Sequence, residues 1–190
     1  EPGTAFSERG LAVFRDLDYR PGMARALVVL GELARLDNDD RRAREAYEEA
    51  LELYQEIGDR RRQGMVLSNL GHVAQRQGEI VRARTLFTQA IKLMSLEGSD
   101  YFLAFGLAGL AGPVAAQGNV ERAARLLGAA EDVLENLGVD YQPADEPAIR
   151  RYTAKVRRRM DEEAFATAWA AGRAMSLAEA VAYALTQEGS

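Results

Sequence analysis

The 190-residue chain contains no cysteine and a single histidine, His72. Without thiols there is no disulfide, no thiolate zinc site and no cysteine nucleophile, and one imidazole cannot supply a pair of histidine metal ligands. Acidic pairs such as Glu48 and Glu49 have no neighbouring base or nucleophile in the sequence that would make them catalytic. The sequence therefore predicts a protein that is not an enzyme and that holds no metal or cofactor.

Long apolar runs and a basic excess are missing as well. No stretch approaches the roughly 18 uncharged apolar residues of a transmembrane helix, and no basic start is followed by an apolar signal core. The net charge of −5 and the pI near 5.1 argue against direct nucleic-acid binding. The absence of cysteine fits a reducing cytoplasm, so we expect a cytoplasmic protein without membrane or nucleic-acid contacts.

The residues that are abundant favour helices. Alanine and leucine are frequent and β-branched residues are sparse, which indicates an all-α fold. The five prolines and 17 glycines lie mostly between segments of helical periodicity, where helix breakers belong.

A pattern of small and large residues recurs every 40 residues, which is typical of stacked helical hairpins. Its small residues let helices approach closely, and an aromatic residue or leucine fills the gap between hairpins. The three copies, the last of them looser, are Leu27, Leu30, Gly31, Ala34, Ala43, Tyr47 and Ala50; Leu67, Leu70, Gly71, Ala74, Ala83, Phe87 and Ala90; and Leu107, Leu110, Ala111, Val114, Ala123, Leu127 and Ala130.

The period divides the chain into an array and a tail within one domain. Residues 1–137 form the array, with a half repeat at 4–17 followed by hairpins at 21–57, 60–96 and 99–137. The half repeat matches the second helix of a hairpin, because Leu11, Phe14 and Leu17 align with Leu51, Tyr54 and Ile57. We therefore expect the chain to be part of a longer array.

The tail, residues 138–190, no longer follows the period. Helices are predicted at about 147–159, 161–172 and 177–187, and Ser176 with Glu179 forms a capping box for the last of them. Because a stacked array needs an atypical end unit over its last apolar face, the tail is expected to be a C-terminal helical cap packed on the array. Phe165 and Trp169 would be its core anchor.

The hairpins resemble the tetratricopeptide repeat, which places Leu-Gly on its first helix and Ala, an aromatic residue and Ala on its second. Residues 21–137 supply this pattern three times, although the period is 40 instead of the usual 34 and the motif's tryptophan, first-helix tyrosine and terminal proline are absent. The resemblance implies a right-handed superhelix whose first helices line a concave groove.

Residues 121–187 look like the C-terminal end of the helical-repeat region in large bacterial ATP-binding transcriptional regulators, the LuxR-family, MalT-like signal-transduction ATPases. The similarity lies in an ordered series of short segments, namely Ala123–Glu131, Glu163–Phe165, Ala168–Leu177, Glu179–Val181 and Ala184–Leu185. The chain has no phosphate-binding loop and no basic recognition helix. The resemblance thus implies a sensor or scaffold domain, and the alternative is a free-standing adaptor or assembly scaffold.

The candidate ligand- or partner-binding groove follows from the first helices of the repeats. Its occupant would be a protein, a peptide, a small-molecule inducer or another domain of the same parent chain. Asn69 would either bond a ligand backbone or bridge helices, and His72 would be either a partly exposed residue with no special role or a groove contact. The candidate residues are Arg25, Glu32, Arg35, Ser68, Asn69, His72, Gln75, Arg76 and Phe105.

The charged clusters give weaker signals. The segment Tyr101–Leu107 carries no Lys or Arg, so a clamp for a terminal carboxylate is not expected on the third hairpin. Arg60–Arg62 and Arg157–Arg159, with Arg150, Arg151 and Lys155 near the second cluster, are interpreted as solvated faces or helix-end charge pairs. A nucleic-acid contact through the second cluster is the weaker alternative.

Overall fold

A computed structural model describes residues 2–141, 143 and 145–186, and within these ranges the protein is all-helical, with ten helices and no strand. None of the described helices is long and apolar enough to cross a bilayer. The helices are α1 (Pro2–Asp16), α2 (Arg20–Leu36), α3 (Asp40–Ile57), α4 (Arg60–Arg76), α5 (Ile80–Glu97), α6 (Asp100–Ala116), α7 (Val120–Leu137), α8 (Glu146–Arg157), α9 (Glu162–Arg173) and α10 (Leu177–Leu185).

These bounds agree with the predicted helices to within two residues, except that the predicted end at 187 lies outside the described residues. The capping box is confirmed, since the Ser176 hydroxyl accepts from the Glu179 amide and the Glu179 carboxylate accepts from the Ser176 amide. Local periodicity and capping chemistry are therefore enough to position the helices along the chain.

The first seven helices pack as neighbours along the chain, in the pairs α2 with α3, α4 with α5 and α6 with α7. Within the first two pairs an aromatic ring lies over a glycine. A Cβ added to Gly31 would lie 2.5 Å from Cε1 of Tyr47, and one added to Gly71 would lie 2.8 Å from Cζ of Phe87. Both rings are fully buried, which confirms the predicted close approach at the two glycines.

The turns inside the pairs keep the same register. Asn38, Gly78 and Gly118 follow the first helices with φ of 60°, 78° and 104°, the left-handed conformation that ends a helix and favours glycine or asparagine. The next helix begins two residues later in every case.

A surface ion pair between neighbouring second helices also repeats, and it changes at the third copy. Arg42 bonds Glu8 at 3.2 Å and Arg82 bonds Glu48 at 2.9 Å. The next copy is Arg122, and Thr88 stands where the glutamate would be. The Arg122 guanidinium instead donates to the carbonyl oxygens of Tyr183 and Thr186, both at 2.8 Å, so it holds the end of α10.

The three tail helices occupy three different places. Helix α9 packs along α7, α10 lies against α5, α6 and α7, and α8 lies against α6 and α7. The α7–α9 contact is a backbone approach, because a Cβ on Gly172 would lie 2.0 Å from the Arg125 carbonyl oxygen and one on Gly128 would lie 2.3 Å from that of Trp169. Phe165 is buried and its ring centre is 5.2 Å from that of Trp169. Helix α8 and the segment before it create the candidate site.

Candidate functional site

Four of the predicted groove residues lie together on one face formed by α2, α4 and α6. We call this surface the groove face and define it as Arg35, Asn69, His72 and Phe105. All four are buried, although first helices that line an open groove would expose them. They are covered by described residues of the same chain between 141 and 152, chiefly Tyr141, Asp145 and Tyr152.

The centre of the contact is a buried ion pair between Arg35 and Asp145. A guanidinium nitrogen of Arg35 lies 2.7 Å from Oδ1 of Asp145, and the two side chains are only 4% and 6% exposed. A second guanidinium nitrogen of Arg35 donates to Oδ1 of Asn69 at 3.2 Å. Burial by itself would lower the pKa of Arg35, but the Asp145 carboxylate raises it above its ordinary value. The arginine is therefore charged, and its buried charge is matched by hydrogen-bonded polar groups.

His72 lies beside this pair and is not charged near neutral pH. Its Nε2 is 3.7 Å from Oδ1 of Asp145, which is too long for a hydrogen bond, and its Nδ1 is 3.4 Å from the Tyr152 hydroxyl. Burial lowers the pKa of His72 to about 4 and raises that of Tyr152 to about 12. The Asp145 carboxylate thus has Arg35 as its charged partner, and a neutral imidazole fills the space next to it.

The interpretation of His72 as partly exposed is wrong. The side chain is 2% exposed, its ring is parallel to that of Tyr152 within 10°, and it meets the Phe87 ring edge-on at 4.9 Å between centres. Because Tyr152 belongs to α8, 80 residues further along the chain, the repeat pattern could not show that this position is covered.

While Tyr141, Asp145 and Tyr152 cover the groove face, its described residues leave no room for a ligand. Tyr141 meets Phe105 edge-on at 5.6 Å between ring centres. A gap of about 10 Å³ next to Asn69 and Asp145 is about the size of one water. Any partner of this face must therefore displace Tyr141, Asp145 and Tyr152.

The other predicted residues lie at the margin of this face or outside it. Ser68 is buried next to the same small gap, and Glu32 is half-buried with its pKa raised by burial and then by Asp145. Arg25 is exposed on α2, on the side of Tyr54. Gln75 and Arg76 lie at the end of α4 and face a different depression, described next.

This second depression is an open cleft of about 780 Å³ between the ends of α4 and α6 and one side of α8. We call it the basic cleft, defined by Gln75, Arg76, Arg151, Lys155, Arg158 and Arg159. Among the described residues, no group of three or more His, Asp or Glu side chains is arranged to hold a metal ion.

Asp145, on which the groove-face contact depends, is not among the site residues predicted from the sequence. Asp145 immediately precedes α8 and 110 residues separate it from Arg35. Its position before Pro147 suggests a helix start, and that local signal explains the beginning of α8 but not the partner on α2. The pairing becomes visible only when the chain folds back over the array.

No protein-family model matches the chain, and no curated protein is significantly similar to it. The resemblance to tetratricopeptide arrays and to bacterial ATP-dependent regulators therefore stays a prediction.

Proposed function

We propose that the chain is a non-enzymatic, cytoplasmic helical-repeat domain that binds a protein or peptide segment and acts as a sensor or scaffold in a bacterial ATP-dependent transcriptional regulator. Its array would be a right-handed tetratricopeptide-like superhelix. One observation supports binding above all others: Tyr141, Asp145 and Tyr152, which are outside the repeats, lie on the groove face as side chains of a bound polypeptide would.

The contacts of that segment indicate what the groove face recognises. Arg35, supported by Asn69, bonds a carboxylate, while Phe105 and His72 meet the aromatic rings of Tyr141 and Tyr152. The matching occupant is a segment with an acidic side chain and tyrosines around it. A partner segment of this kind would compete with the chain's own residues 141–152 for one surface.

This competition gives the sensor role a mechanism. A partner that binds the groove face only when residues 141–152 have left it shifts the population towards that open arrangement. The size of the shift is limited by the difference in the partner's affinity for the two arrangements. In a regulator, release of α8 would change the contacts that the tail makes with neighbouring domains of the parent chain.

The proposal can be tested with a peptide array probed by the 190-residue chain and by two variants. Asp145→Ala removes the competing carboxylate, so it should capture more peptides than the unmodified chain. The captured peptides should be enriched in Asp or Glu followed seven residues later by Tyr, the spacing of Asp145 and Tyr152. The double variant Arg35→Ala/Asp145→Ala is the matched control and should lose this capture. If Asp145→Ala captures nothing, or if the control captures equally well, the groove face is not a peptide-binding surface.

The free-standing adaptor remains the second candidate, because the same groove face would serve it. The two functions differ in the remainder of the polypeptide. A phosphate-binding loop or a helix-turn-helix encoded in the same reading frame would support the regulator, and a reading frame with neither would support the adaptor.

A further inference from the structure

Helix α8 and Arg158, the residue that follows it, carry two sets of basic side chains that are used differently. Arg150 pairs with Glu146 at 2.6 Å, and Arg157 bonds Glu162 through Nε at 3.1 Å. Arg151, Lys155 and Arg158 have no carboxylate partner among the described residues. Their spacing of four and three residues places them on one side of the helix, the side that faces the basic cleft.

The basic cleft concentrates positive charge in a chain whose net charge is −5. Among the described residues, five cations and one carboxylate, that of Asp40, line it. That carboxylate is bonded by Arg76, whose Nε lies 2.7 Å from Oδ1. The other cations therefore remain as an excess of positive charge around one concave volume.

Helix ends account for two of the five cations. Arg76 donates to the Arg35 carbonyl oxygen at the end of α2 at 3.0 Å, and Arg159 donates to the Ala115 carbonyl oxygen at the end of α6 at 2.6 Å. Such contacts satisfy the last carbonyls of a helix. Arg151 lies over the Tyr152 ring, with its Cζ 6.0 Å from the ring centre. In the described part of the chain, Lys155 and Arg158 make no comparable bond, and like charges one helical turn apart repel each other. The end of α8 favours a positive charge there, but no contact among the described residues accounts for several unpaired cations around one concave volume.

An uncharged polar group lies in the same cleft. Gln75 occupies the space left by the missing side chain of Gly112, where a Cβ would lie 2.1 Å from the Gln75 Nε2. Its Oε1 is buried without a hydrogen-bond partner in the described part of the chain. A buried amide normally has a partner, and a ligand hydroxyl would supply one once the amide turned its oxygen towards the cleft.

We propose that the basic cleft binds a small organic polyphosphate, a ligand with two or more phosphate groups on a hydroxyl-bearing body. Arginine and lysine are the usual phosphate-binding side chains, and about 780 Å³ is within the range of small-molecule sites. An extended nucleic acid would meet the acidic remainder of the surface and be repelled by it. The ligand would contact α8 and the ends of α4 and α6 together, so it would hold α8 on the array.

The test is isothermal titration calorimetry, which measures the affinity of the full chain for inorganic triphosphate and for ATP. The ionic strength is about 0.15 M, at which weak surface attraction is screened. The variant Lys155→Gln/Arg158→Gln removes two cleft charges. The variant Arg150→Gln/Arg157→Gln removes two charges from the same helix on the side away from the cleft. We expect Lys155→Gln/Arg158→Gln to weaken the binding of both ligands by about tenfold or more. The control variant Arg150→Gln/Arg157→Gln should weaken it by less than about twofold.

All four substituted side chains are exposed, and circular dichroism will show whether both variants keep the helical fold. A second readout needs no variant: the side-chain amide resonances of Gln75 should shift when ATP is added to the unmodified chain. The proposal fails if neither ligand binds, if both variants weaken binding equally, or if the Gln75 resonances stay in place. It also fails if an acidic peptide or a DNA oligonucleotide displaces ATP at a lower concentration than ATP itself binds.

Discussion

The array and the tail are both helical, but they are held by different kinds of contact. The array relies on periodic apolar packing, such as the Tyr47 ring over Gly31, and its ion pairs are exposed or, as for Arg76 with Asp40, partly buried. The tail also packs by apolar residues, such as Ile149 and Phe165. In addition it is fixed by single directional contacts, chiefly the buried Arg35–Asp145 pair and the bonds of Arg122 to the end of α10. Apolar stripes can repeat with each hairpin, whereas a segment outside the period needs contacts that specify one position.

The largest expected effect comes from Asp145→Ala. The substitution leaves the Arg35 guanidinium buried without its charged partner, or else releases α8 so that water can reach it, and either outcome should lower the free energy of unfolding by about 3–5 kcal/mol. Urea denaturation measures the loss. Glu45→Ala removes the exposed carboxylate that pairs with Arg41 and should cost less than about 1 kcal/mol. Equal losses would show that the buried pair does not hold the tail.

The second prediction concerns pH. The pKa of His72 is about 4 in the folded protein and 6.5 as its ordinary value, so the unfolded chain binds an additional proton between these values. Stability contributed by the neutral imidazole is present above pH 6.5 and is lost as the pH falls towards 4, by up to about 3 kcal/mol. His72→Gln should show a shallower loss over this range in urea denaturation at several pH values. Parallel curves for the two proteins would contradict the burial of His72.

The third prediction separates backbone contact from side-chain packing. Gly172→Ala places a methyl group against the Arg125 carbonyl oxygen, 2.0 Å away, and should push α9 from α7 at a cost of about 1–3 kcal/mol. Gly10→Ala is the control, because no neighbouring side chain or helix lies within 4 Å of a Cβ added there. This substitution should be neutral or slightly stabilising. Thermal unfolding compares the two. A tolerated Gly172→Ala would mean that the α7–α9 approach is not close.

The smallest effect is expected when arginines at equivalent positions of the repeat are replaced. Arg122→Ala removes the donor to the Tyr183 and Thr186 carbonyls and should cost about 1–2 kcal/mol. Arg42→Ala removes an exposed pair at the corresponding position of the first hairpin and should cost less than about 1 kcal/mol. Hydrogen exchange should also increase in α10 only for Arg122→Ala. Unchanged exchange there would contradict its role at the end of that helix.

The sequence was sufficient for the helices and for the face on which Arg35, Asn69 and His72 meet. Helical periodicity, the glycine and asparagine turns and the Ser176 cap are local signals, and each acts within a few residues of the structure that it predicts. The sequence was not sufficient to predict that this face is buried. His72 has the same neighbours along the chain whether or not Tyr152 covers it, so no local pattern could show its burial.

The sequence by itself determined an all-α chain of 40-residue helical pairs and the bounds of its helices, because propensity, capping and apolar periodicity depend on residues close together in the chain. Only the tertiary structure decided that α8 lies on the groove face, that Asp145 meets Arg35, and that the cations of α8 divide between glutamate partners and the basic cleft. These outcomes depend on where a non-repeating segment returns to the array, and such long-range contacts follow from packing and buried charge pairing and not from periodicity.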